Sequence, residues 1–203
     1  MTITKTADTS APVHPLLRDR WSPRAFDPLH ELPDDQLRTL LEAARWAPSA
    51  SNTQPWRFLV TRRGEEAYAR LFATLVPGNQ RWAGRASALL LVAAQTLDEA
   101  GRERPWALYD TGQAVTSLVV QAQAEGLAVH QMGGFDSAAA AAEFRLTDDL
   151  RPVTVVAVGR ADHSVELPAP LADRERAPRT RHPLDDLLLP VEPDPSADAA
   201  PRP

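Results

Sequence analysis

Three short segments carry the side chains best suited to chemistry. Arg20-Trp21-Ser22-Pro23-Arg24-Ala25-Phe26 sets two guanidiniums four residues apart with a hydroxyl between them. A planar guanidinium makes charge-assisted, two-pronged bonds to phosphate oxygens, so this spacing suits one phosphate or a polyol phosphate. A solvated turn is the plainer alternative. It has weight because Lys5 is the only lysine among 22 basic residues, so arginine also fills the ordinary surface roles. Ala47-Pro48-Ser49-Ala50-Ser51-Asn52-Thr53-Gln54-Pro55-Trp56 packs hydroxyls and amides between two prolines. Such a loop offers many hydrogen-bonding groups from a fixed frame and suits an aromatic heterocycle with polar edges. Read as a capping turn, it explains the serines and Asn52 but not Gln54, Pro55 and Trp56 behind them. Gln131-Met132-Gly133-Gly134-Phe135-Asp136 has paired glycines, which let backbone N–H groups approach a flat ligand or an anion, or simply make a tight turn.

Other chemistries lack their residues. No G-x-G-x-x-G, G-x-x-x-x-G-K-[ST] or G-x-S-x-G occurs. The absence of cysteine removes disulfides, thiolate metal sites and a thiol nucleophile. His14, His30, His130, His163 and His182 are scattered, without an H-E-x-x-H, so no metal site is expected. No side chain stands out as a catalytic nucleophile or base. If the chain is an enzyme, a cofactor carries the chemistry.

The elements that must position these segments alternate between helix and strand. Pro33-Asp34-Asp35 predicts a helix start, with acidic groups at the positive end of the dipole, and Leu37, Leu40, Leu41, Ala44 and Trp46 follow at near-helical spacing up to Pro48. Strands are predicted at 57–62, 88–94, 127–132 and 152–158, and helices at 65–75, 106–126 and from an Asp136 N-cap to Phe144. The run 88–94 is apolar throughout, as in a strand buried on both faces. Asp110 is the only charged residue between Ala107 and Ala124. A helix with no polar face is buried all round, either against a second copy of itself or in the centre of a monomer core. Interleaved strands and helices predict an α+β fold, a mixed sheet flanked by helices.

Composition bounds the rest. The 203 residues are 43% hydrophobic, enough for one cored domain, and the net charge of −5 argues against nucleic acid and against a polybasic membrane anchor. No apolar run reaches the roughly 18 residues of a membrane helix, and residues 1–14 lack the apolar stretch of a secretory signal. A cytoplasmic location with no membrane partner is expected. Residues 1–13 read as a mobile arm and 14–189 as the folded domain. Residues 190–203, with five prolines in fourteen residues, read as a disordered tail.

Taken together, the R-x-S-x-R-x-F start, the A-P-S-x-S-N-x-Q-P-W loop and the later G-G-F-D turn resemble the FMN-dependent nitroreductase family, in family order, across roughly Leu16 to Leu188. The resemblance implies an intertwined α+β homodimer with the long apolar helix in the interface and two FMN molecules there. Arg20, Trp21, Ser22 and Arg24 match the segment that holds the phosphate, the ribityl chain and the N1/O2 edge. Ser49, Ser51, Asn52 and Gln54 match the loop that approaches the flavin, part of it from the partner subunit. Met132, Gly133 and Gly134 match the turn near N5. Arg179 and Arg181, in a basic-x-basic segment, match further phosphate ligands, and Asn79 matches a residue of the pyrimidine edge.

The activity implied is hydride transfer from NADH or NADPH through FMN to a nitroaromatic, quinone or similar small acceptor, by a ping-pong mechanism. Relatives with another chemistry (flavin cleavage, dehalogenation, substrate dehydrogenation) and a non-enzymatic flavin-binding role are the alternatives. The sequence departs from the family pattern in four places. Trp82 stands where some members have lysine, Gln131 replaces a proline, Gly133 sits where some have Glu, and the stretch between Gln95 and Trp106, where substrate-covering segments often lie, is short.

Overall fold

In the computed structural model, residues 5–191 are described. Ala88–Gln95 (β2) forms the centre of a four-stranded sheet because its side chains are apolar on both sides, and all but Gln95 are buried. It pairs with Trp56–Arg62 (β1) on one side and Leu150–Gly159 (β4) on the other, and Ala128–Met132 (β3) adds to β4, giving the order β1-β2-β4-β3. Trp56 lies opposite Ala94, Leu90 opposite Val156, and Met132 opposite Val155. The register breaks where Ala93 meets Pro152, since proline has no N–H for the ladder and is tolerated at a bulge.

After the single turn Pro15–Arg18 (α1), the helices lie in two layers, and alternate residues of β2 face opposite ones. Leu90 and Val92 pack on Leu37, Leu40 and Ala44 of Asp34–Arg45 (α2) and on Ala114, Val115 and Leu118 of Ala107–Ala124 (α5). Leu89 and Leu91 meet the other layer: Tyr68 and Leu71 of Glu66–Ala73 (α3), Trp82 and Ala83 of Pro77–Ala83 (α4), Ala140 of Ser137–Glu143 (α6) and Leu171 of Ala169–Arg176 (α7). Each fully buried leucine contributes roughly 1.5–3 kcal/mol. Asp136 caps α6 through a bond from the Ala139 amide, as its position predicts.

The class is α+β, but the sheet is not mixed: every strand pair among the described residues is antiparallel. The helix α5 between β2 and β3 implied parallel neighbours. Those two strands do run parallel, but β4 returns between them and separates them. Trp46 also departs from its expected place on the apolar face. It follows the last turn of α2, is 74% exposed, and donates to Glu42.

The expected arm makes contacts with the domain. The Ala7 amide donates to the Arg18 carbonyl, the Lys5 ammonium donates to the Arg174 carbonyl, and it lies 4.6 Å from the centre of the Trp21 ring. Of the proline-rich tail, residues 192–203 lie outside the described residues.

Candidate functional site

The expected site residues fall into two groups at one end of the sheet, on opposite edges. The first group surrounds the edge strand β3. His130 points to the same face as Met132, two residues on, and its ring lies 4.4 Å from that of Trp82. A carbonyl can only accept, so the 2.9 Å contact between His130 Nδ1 and the Pro23 carbonyl places the ring proton on Nδ1. This bond ties the Arg20–Arg24 segment to β3. Three residues before Trp82 on α4, Asn79 donates through Nδ2 to the Gly134 carbonyl at 2.9 Å. The Val76 amide donates to the same carbonyl. A Cβ on residue 134 would come within 2.9 Å of both Asn79 Nδ2 and Val76 Cγ2, so only glycine lets α4 lie this close. Gly133 beside it is exposed, and a Cβ there would meet nothing within 4 Å, so its backbone is open to a flat ligand.

Guanidiniums collect beside this edge. Arg20 is half-buried and donates to Ser22 Oγ at 3.2 Å. Burial holds its pKa below the usual arginine value, and the nearby charges of Arg179 and Arg181 lower it further. Arg179 is fixed by donating to the Lys5 and Arg18 carbonyls. Arg181 is exposed and, among the described residues, donates only to the neighbouring Thr180 carbonyl. None of these three arginines forms an ion pair among the described residues. Asp19 acts on Arg179 in the opposite sense but is itself paired with Arg18 at 2.9 Å, so the group keeps a positive charge that favours an anion.

Arg24 is placed differently. Glu175 of α7 is 3% exposed, and its carboxylate accepts from the Arg24 amide at 2.9 and 3.2 Å and from the Ala25 amide at 3.2 Å. The Arg24 guanidinium lies 3.9 Å from the same carboxylate. The Arg24 guanidinium therefore faces Glu175. Trp21 stacks on His163 with ring centres 5.7 Å apart, and Met132 is buried beneath the glycine turn.

The second group is the loop before β1. Ser51, Asn52 and Gln54 all have positive φ, at 51°, 56° and 45°. This region is costly for residues other than glycine and is tolerated best by asparagine. The turn is held by the Gln54 amide donating to Ser49 Oγ, and by Gln54 Nε2 donating to Asn52 Oδ1 at 3.1 Å. Ser51, Asn52 and Gln54 are exposed. The loop joins the β1 edge and the glycine turn joins the β3 edge, with β2 and β4 between them. Three inter-strand steps are about 14 Å, so one chain does not bring the two groups into contact.

His130, Glu175 and Trp82 were not read as site-supporting residues. Alternation with Ala128 and Met132 could have placed His130 on the site face. Nothing in the charged run Asp173-Arg-Glu-Arg176 marks Glu175 for burial. Trp82 fills the core between Phe26 and His130.

Burial pushes His130 down to about 4. The folded protein then keeps it neutral, while the unfolded chain takes up a proton below about pH 6.5. Stability from this group is complete above pH 6.5 and is lost as pH falls towards 4, by about 2 kcal/mol by pH 5. Burial lowers His30 as well, which adds to the slope. Urea midpoints should fall between pH 7 and pH 5, and His130→Asn should flatten that fall. An unchanged slope would show that His130 is not buried as the neutral form.

The sequence profile of the nitroreductase family matches residues 17–160, and the chain belongs to that family. A Streptomyces coelicolor protein named as an NADH dehydrogenase/NAD(P)H nitroreductase is 32% identical over 172 residues, 73% of this chain and 80% of its own. A solved structure described as an oxidoreductase containing FMN is 38% identical, with a TM-score of 0.86 over 93% of this chain and 96% of that one. A nitroreductase from Desulfovibrio desulfuricans solved in complex with FMN is 27% identical, with a TM-score of 0.70 over 92% and 100% of the two chains. Among the described residues no helix is long and apolar enough to cross a membrane.

Proposed function

We propose that the chain is an FMN-dependent NAD(P)H oxidoreductase that passes a hydride to nitroaromatic, quinone or similarly electron-poor acceptors in a ping-pong cycle. The observation that carries this is the group of Arg20, Arg179 and Arg181, from both ends of the chain, whose charges repel one another and which form no ion pair among the described residues. A doubly charged phosphate monoester would offset that repulsion, and the Ser22 hydroxyl beside Arg20 would supply a further bond. The open backbone at Gly133 leaves room for a flat ring, and Asn79 stands beside it to fix a polar edge. These residues fit FMN. Relatives solved with FMN and relatives named as NAD(P)H nitroreductases support the same reading.

When bound, FMN supplies the hydride chemistry, accepting from the nicotinamide and giving to the acceptor. The protein's own residues bind and orient. Arg20 and Arg181 hold the phosphate, the glycine turn sets the distance of the backbone from the ring, and no side-chain acid or nucleophile is needed. We read the site as shared between two copies, because the Ser49–Gln54 loop and the arginine group occupy opposite sheet edges. Two apolar surfaces agree with a homodimer. One is the outer face of α5, where Leu108 and Tyr109 are 39% and 67% exposed. The other is the segment Leu184 to Val191, where Leu187, Leu188 and Leu189 are all exposed. A cytoplasmic location goes with the use of a reduced nicotinamide.

Anaerobic titration of the FMN-loaded protein tests this. NADH or NADPH should bleach the flavin band, and an added quinone should restore it. Bleaching by an amine-type substrate but by neither nicotinamide would instead favour a dehydrogenase chemistry within the family.

A further inference from the structure

Asp110 is the only charged residue of α5, and it is not at the surface: it is 2% exposed. A buried carboxylate is unfavourable without partners. Its position in the first turn of α5 gives it the positive end of the helix dipole. Its close partner is outside the helix. Oδ2 accepts from the amide of Ala50 at 3.0 Å, while Gln113 Nε2 stands 3.5 Å from Oδ1.

Ala50 opens the turn that contains Ser51, Asn52 and Gln54, the three residues with positive φ. Most bonds within that turn are local: Asn52 N to the Ser49 carbonyl, Thr53 N to the Ala50 carbonyl, Gln54 N to Ser49 Oγ. Such bonds travel with the loop and do not fix it to the domain, and from outside Arg104 Nη1 reaches the Thr53 carbonyl only at 3.5 Å. The following end is tied to the sheet by the Gln95 amide donating to the Pro55 carbonyl and by Arg57 donating to the Gln54 carbonyl. At the preceding end Ala47 packs on the core, and beyond it the bond from Ala50 to Asp110 ties down the start of the turn.

We infer that Asp110 is a positioning residue that pins the leading end of the Ser49–Gln54 loop and so holds its exposed amides and hydroxyls in the conformation that contacts the flavin. This rests on the function proposed above. It also links that loop to α5, the helix whose outer face we assign to the subunit interface, so the loop and the interface are set by one rigid element.

The test uses the full chain in two states. Hydrogen exchange is first measured without FMN. In Asp110→Ala, exchange at the Ala50 amide and through the turn should rise by about tenfold or more, the usual size of a lost charge-assisted bond. Asp110→Asn keeps an acceptor and should recover most of the protection. FMN affinity is measured next and should fall about tenfold or more in Asp110→Ala, and less in Asp110→Asn. Leu118→Ala, in the same helix and fully buried, serves as the control for general loosening. It should lower the urea midpoint without raising loop exchange above the rest of the chain.

Loop exchange that stays at the wild-type rate overturns the inference. So does increased exchange with unchanged FMN affinity, and so does the same pattern in Leu118→Ala. If the alanine variant does not fold, the asparagine variant carries the test, with a smaller rise in exchange still required. Failure of the wild-type chain to bind FMN would overturn the function proposed above and the loop's role in it. The exchange arm would then still decide whether Asp110 anchors the loop.

Discussion

Replacing Arg20 and Arg181 together by alanine is expected to lower FMN affinity at least about a hundredfold while leaving the urea midpoint of the FMN-free protein unchanged or raised. The two effects have one cause. Arg20 is half-buried, and both charges acting on it, from Arg179 and Arg181, repel it. In the absence of an anion these groups work against the fold, so their removal relieves it. With a phosphate present, each forms a charge-assisted bond of about 1.5–3 kcal/mol, and two such bonds give the expected loss. Rising salt should weaken FMN binding in the wild type more than in the double variant, because screening acts on the charges removed. Arg179 is left in place because its bonds to the Lys5 and Arg18 carbonyls give it a structural role as well. A double variant that binds FMN as tightly as the wild type would remove the phosphate site from these residues. A large fall in urea midpoint would show that they serve the fold instead.

Glu175→Ala is expected to be the most damaging single change to stability, costing about 3 to 5 kcal/mol. Its carboxylate serves two backbone amides as well as a guanidinium, so removal leaves the amides of Arg24 and Ala25 without partners in a site 3% exposed. For a domain of this size that is a fall of roughly 8 to 15 °C in melting temperature. Arg24→Ala should cost much less. The guanidinium sits 3.9 Å from the carboxylate and is 24% exposed, and the amide bonds that satisfy Glu175 survive its loss. Glu175→Gln should fall between the two. The order also separates two roles for Arg24. If it contacts the flavin, Arg24→Ala loses FMN affinity at near-wild-type stability. If it serves the Glu175 clamp, both change little. Equal destabilisation by Arg24→Ala and Glu175→Ala would mean that the ion pair, and not the pair of amides, holds the segment.

The central elements were legible because their side chains obey one period each. Ala88 to Ala94 is apolar without a break and is the buried centre of the sheet, and α2 shows its core stripe in Leu37, Leu40 and Ala44. Strand direction was not legible. A helix between strands fixes only that β2 and β3 run the same way, and no residue in either announces that β4 comes between them. The short α4 and the late α7 were missed, the first because Pro77-Gly78-Asn79 looks like a turn and the second because its single apolar anchor, Leu171, gives no period. Arg20, Ser22 and Gly134 stood out through motif spacing and Asn79 through the family resemblance, and the fold brings them to one edge. His130, Asp110 and Glu175 were not assigned roles, because what matters about them is burial. Burial of a polar residue depends on which distant backbone group lies opposite, and the separations here are 107, 60 and 150 or 151 residues. Gly134 is the opposite case, where the requirement for glycine could be read locally but its cause, the approach of Asn79 and Val76, could not.

The absorbance spectrum of the purified full-length chain, taken before and after incubation with FMN and removal of the excess, bears most directly on all of this. A yellow protein holding one flavin per chain is the expected result, with the band lost on anaerobic addition of NADH or NADPH. A colourless protein that retains no FMN would contradict the assignment of Arg20, Arg179 and Arg181 to its phosphate.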